Sequence, residues 1–166
     1  MATLSREKVI DQWSALVERG AGKDKWVIDK TEELIKQFNA PGVSCSREIV
    51  SSGLFGEKRD FLMVTHQRLK EYALFISARD FGRDLDVSWY LTVNPSSFKR
   101  AISKKLAQGD PNALSMNLDV FAQQDLGAYK TAAHHCLQDT IKLLMDDLKQ
   151  DYTTIDRKSK GFLSVW

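Results

Sequence analysis

Apolar residues recur along this chain at two different periods, and the switch between them divides it into parts. Near the start, Val9, Ile10, Trp13, Leu16 and Val17 fall at helical spacing, with Gly20 placed as a stop. Val27, Thr31, Leu34, Ile35 and Phe38 then share one helical face, and Asn39-Ala40-Pro41-Gly42 ends that run. The expectation for residues 1–40 is a helical hairpin. Its seven acids and seven bases cancel, as on a solvated outer face.

From Val43 the period drops to two. Val43–Val50, Phe61–His66, Tyr72–Arg79 and Leu85–Val93 read as four strands. The fourth is the clearest, with Leu85, Val87, Trp89, Leu91 and Val93 on one face and Asp86, Ser88, Tyr90 and Thr92 on the other. The short gaps between runs fit hairpins, so residues 43–93 predict an antiparallel sheet with one wet face. A short basic helix follows over 97–107. Leu114, Met116, Leu118 and Val120 then alternate, as in a fifth strand or the start of a helix.

The last large element is a helix over 125–150. Leu126, Tyr129, Ala133, Leu137, Thr140, Ile141, Leu144 and Leu148 form one apolar arc on it. At about 1.5 Å per residue it is long enough to cross a sheet of four or five strands. Residues 153–166 form a tail. The predicted fold class is therefore α+β in a single domain of 166 residues: an antiparallel four- to five-stranded sheet covered on one face by the long C-terminal helix, beside an N-terminal helical hairpin.

Composition narrows the function classes. Hydrophobic content of 43% and charged content of 28% describe an ordinary folded domain. A net charge of +2 makes no global field for nucleic acid or an anionic membrane, so any electrostatic partner needs a local patch. Two cysteines cannot build a disulfide scaffold, and no window is apolar enough to span a bilayer. The start of the chain lacks the apolar core of a signal peptide, and a reduced, cytoplasmic protein is expected.

Several short motifs mimic chemistry. Asp80-Phe81-Gly82 spells a kinase magnesium loop, but the glycine-rich loop, strand lysine and catalytic aspartate that must accompany it are missing. A hairpin turn, capped by Asp80 with Gly82 at positive φ, accounts for it. Gly20-Ala21-Gly22-Lys23 lacks the upstream glycine and the following Ser or Thr of a phosphate loop, and reads as a turn between helices. His134 and His135 are adjacent, so on a helix they point about 100° apart and cannot clasp one ion. His66, Cys45 and Cys136 have no spacing that asks for a metal, and His135 should be exposed, His134 at the edge of the arc and Cys136 a small buried apolar residue. Ser44-Cys45-Ser46 sits in no nucleophile elbow. Glu48, Asp80, Asp84 and Asp86 read as hairpin and surface charges. No catalytic residue, cofactor or metal is assigned.

Three surfaces remain as candidates. Ala128, Ala132, Cys136 and Leu143 make a second stripe on the long helix, where small residues admit a close helix from the same chain or from another. Phe162, Leu163 and Trp166 in the tail either return to the sheet edge or anchor in a partner. Lys99, Arg100, Lys104 and Lys105 offer a patch for an anion or an acidic protein, without the interleaved aromatics that nucleic acid would favour. The reading is a non-catalytic interaction or assembly module, a subunit of a homo- or hetero-oligomer. The alternative is a small-molecule or nucleotide-binding domain, catalytic or not, with a pocket between sheet and helix and Glu48, His66, Ser88 and Tyr90 as contacts.

Overall fold

The alternation of Leu85, Val87, Trp89, Leu91 and Val93 becomes a strand with a neighbour on each side, and the architecture grows from it. The computed structural model describes residues 2–3, 9–51, 57–93 and 118–160. In chain order the elements are β1 (Ala2–Thr3), β2 (Val9–Val17), α1 (Asp24–Phe38), β3 (Val43–Ser51), β4 (Lys58–His66), β5 (Tyr72–Phe81), β6 (Asp84–Val93) and α2 (Val120–Asp147). A short 3-10 turn, Tyr152–Thr154, follows α2. The fold class is α+β. Strands β3 to β6 form an antiparallel meander, β2 pairs antiparallel with β6, and β1 adds two parallel residues beside β3, in the order β1-β3-β4-β5-β6-β2.

The expected N-terminal helical hairpin is not there. Residues 9–17 are a strand, and only 24–38 are helical. Two features disguised β2. A bulge at Ile10 breaks the alternation, since Val9 pairs with Thr92 but Asp11 with Leu91. From Asp11 onward the inward residues are Asp11, Trp13, Ala15 and Val17, so the first inward position carries a charge, while outward Leu16 is 49% exposed. Gly20-Ala21-Gly22-Lys23 accordingly joins a strand to a helix. It still lacks the residues of a phosphate loop, and amides in and beside it are engaged: Gly22 N–H donates to Asp80 Oδ1 and the preceding Arg19 N–H to Asp84 Oδ1, both at 2.9 Å. Asp80 thus ties the β5–β6 hairpin to another loop rather than capping its own turn, while Gly82 does take a φ of 65°.

Both helices pack on the inner face of the sheet. Leu126, Tyr129, Ala133, Leu137, Ile141 and Leu144 of α2 join Leu62, Val64, Leu74, Ile76, Val87 and Trp89 in one core. Full burial of each large side chain contributes about 1.5–3 kcal/mol. The helix begins at Val120, five residues earlier than the apolar arc suggested, because Asp119 caps it by accepting from Ala122 N–H at 2.7 Å. Residues 97–107 and 114–117 lie outside the described residues, as do Lys99, Arg100, Lys104 and Lys105 and the tail residues Phe162, Leu163 and Trp166.

The outer face of the sheet departs from the expectation of one wet side. Phe61 and Phe75 are buried there, edge to face at 6.1 Å, with Val50 beside them and Tyr90 partly covered. Ser77, Ser88 and Thr92 are buried as well. Alternation assigns a residue to a face; it does not say how much water that face meets.

Close packing at the start of β6 makes a stability test. A Cβ on Gly20 would stand 2.8 Å from Leu85 Cβ, so Gly20→Ala should cost about 1–3 kcal/mol by overpacking. Thermal and urea unfolding measure it, and an unchanged midpoint would show that this corner yields.

Candidate functional site

The densest polar chemistry in the described residues lies where β2 meets α2. Helical spacing places Lys130, His134 and Gln138 in one row along α2, beside the apolar arc and over Trp13, Asp11 and Trp89 of the sheet. Lys130 Nζ stands 2.6 Å from Asp11 Oδ2, and both side chains are 0% exposed. Burial pushes the Lys130 ammonium below the usual lysine range, and its bond to Asp11 opposes that shift. A pair so enclosed is held by geometry, since either charge alone would be very costly there.

His134 occupies the next turn. Trp89 Nε1–H donates to its Nδ1 at 2.8 Å, so Nδ1 carries the lone pair and the proton resides on Nε2. Nε2 lies 2.8 Å from both the Arg157 carbonyl oxygen and the Gln138 amide nitrogen, which itself stands 3.3 Å from that oxygen. Trp13 and Trp89 both meet the imidazole edge to face, at 5.2 and 5.6 Å. Burial pushes the His134 pKa down to about 4, against the pull of the Arg157 carbonyl. Protonating Nδ1 would set two N–H donors facing each other. The ring is neutral and fixed.

A strap formed by residues 156–160 closes this region. Trp13 Nε1–H donates to the Asp156 carbonyl at 2.6 Å, Ser159 Oγ lies 3.1 Å from Asp11 Oδ2, and Lys160 N–H donates to the Gln12 carbonyl at 2.8 Å. Among the described residues, no buried side-chain nitrogen or oxygen is left without a hydrogen-bond partner.

The residues singled out in the sequence are scattered. Glu48, Ser88 and Tyr90 belong to the outer face, whereas His66 is on the inner face, buried and 6.2 Å from the Tyr129 ring. On α2, Cys136 is buried, Ala132 half-buried, Ala128 exposed and Leu143 47% exposed. One turn beyond Cys136, the Thr31 hydroxyl of α1 lies 3.1 Å from that of Thr140. Cys45 and Cys136 are free thiols, and burial raises both pKa values, that of Cys136 to about 11, so neither is held as a thiolate. No group of three metal-binding side chains exists among the described residues, and no helix among them is long and apolar enough to cross a membrane.

Sequence reading passed over Asp11, Lys130 and Gln138 and set His134 at the edge of the arc, although it is fully buried. The available signal was the four-residue spacing of Lys130, His134 and Gln138 on an otherwise apolar helix. No protein-family model, curated protein or solved structure matches this chain.

His134 gives a pH-dependent prediction. The unfolded imidazole takes its proton near 6.5 and the folded one near 4. The unfolded state binds the extra proton between those values, so this stability is complete above pH 6.5 and lost as pH falls toward 4. The loss should reach on the order of 2–3 kcal/mol and be absent in His134→Asn, as urea titrations at several pH values would show. Trp89→Phe should cost about 1–3 kcal/mol at pH 7, by leaving Nδ1 without its donor.

Proposed function

We propose that this protein is a non-catalytic assembly module whose helical layer meets another protein chain. The observation that carries this reading is the outward side of the packed helix pair. Leu143 of α2 is 47% exposed, Trp26 and Phe38 of α1 are 41% and 62% exposed, and Val120 and Phe121 stand out at the start of α2. Large apolar side chains left exposed on both helices of one layer are places where a partner can replace water.

The interior adds support. The buried polar groups spend their hydrogen bonds on one another and on the strap, which leaves none among the described residues seeking a ligand. The small-molecule alternative has less to draw on, since Glu48, Ser88 and Tyr90 are separated from His66 by the thickness of the sheet. Ala128 and Leu143 belong to the proposed surface, while Cys136 is engaged by the chain's own core.

Light scattering of the full chain, with affinity capture, tests the reading. A stable complex of more than one chain is expected, lost in Leu143→Asp while unfolding stability stays within about 0.5 kcal/mol. A monomer whose captured proteins do not change with Leu143→Asp would contradict it.

A further inference from the structure

The strap makes an unusual set of contacts for an irregular segment. Its carbonyl oxygens at Asp156 and Arg157 are met by Trp13 Nε1 and by His134 Nε2. The Ser159 side chain, 6% exposed, meets Asp11, while the Lys160 amide pairs with β2 as an added strand would. The side chains of Asp156, Arg157, Lys158 and Lys160 are exposed. The contacts made by Asp156, Arg157, Ser159 and Lys160 thus use backbone groups and one small hydroxyl, as in the binding of extended peptides along a sheet edge. The receiving groups sit on rigid elements, β2 and α2, and belong to positions far from the strap in sequence.

We infer that the groove between the outer edge of β2 and α2 is a peptide-binding site that residues 156–160 occupy in cis. The ligand it takes in trans is an extended segment presenting two successive carbonyls and, two residues further on, a serine. This site is separate from the outward helix face, so either assignment can fail alone. The tethered strap competes at an effective concentration on the order of millimolar, which masks the groove in the parent chain. Displacement needs no covalent change, only loss of the Ser159 seat. A carboxylate in place of that hydroxyl would face the buried Asp11 carboxylate.

The test is fluorescence anisotropy with a labelled peptide of residues 152–160. The full-length Ser159→Asp chain should bind it at least tenfold more tightly than the parent does, and should bind a peptide carrying Ala for Ser159 more weakly. Folded Ser159→Asp protein that binds no better than the parent overturns the proposal. Should that variant not fold, hydrogen exchange in the parent decides. The Trp13 indole N–H is expected to exchange at least a hundredfold faster than the Leu137 amide, through local opening of the strap. Equal protection of the two would make the strap an inseparable part of the core and sink the idea.

Discussion

An ammonium and a carboxylate, both fully shielded from water, meet 2.6 Å apart between Lys130 and Asp11, and the arrangement of the molecule answers to that fact. Two buried charges tolerate little displacement. A slip of β2 by one residue against β6 would turn Asp11 to the opposite face and leave Lys130 uncompensated in the core. The pair therefore selects one register for β2 and one placement for α2, which apolar packing alone specifies loosely. The bulge at Ile10 immediately precedes the charged position. Ser159 of the strap adds a hydrogen bond to Asp11.

The rest of the seam follows the same logic with neutral groups. Trp89, the largest fully buried side chain among the described residues, needs an acceptor for its indole N–H and finds it in His134. That choice sets the tautomer of His134, which points its remaining proton at the strap. Tyr129 resolves a similar demand by donating to the Val64 carbonyl at 2.7 Å, which fixes α2 over the middle of the sheet. Gln150 reaches the Glu18 carbonyl at 2.6 Å and holds the end of the helical region to the end of β2. Sheet and helix are joined by polar contacts at intervals along an apolar interface. Those contacts give a single alignment where grease alone would permit several.

The meander and the long helix were legible because their burial follows a simple period. In β6 and along the arc of α2, each inward position is apolar, so counting recovers the face. β2 was misread as helical because its first inward position holds a charge and an outward one holds Leu16. Its true pattern appears only when Asp11 is allowed inside, and a partner over a hundred residues away is what allows it. His134 was set too near the surface for the same reason, since its burial depends on an indole donor from another strand. Local periodicity cannot register a polar group whose satisfaction is distant. The outer face posed a different problem, as alternation gives direction without the degree of cover that Phe61 and Phe75 have. The interaction surfaces were least accessible. Small residues such as Ala128 and Cys136 look alike in sequence, yet one is exposed and the other buried in the core.

A double-mutant cycle on Asp11 and Lys130 tests the central claim most directly. Asp11→Leu and Lys130→Met should each cost about 3–5 kcal/mol in urea unfolding at pH 7, and the two together should cost less than their sum. The expected coupling is about 2–3 kcal/mol. Effects that add to within about 0.5 kcal/mol would mean that the two charges do not act as a pair, and the register argument built on them would fall.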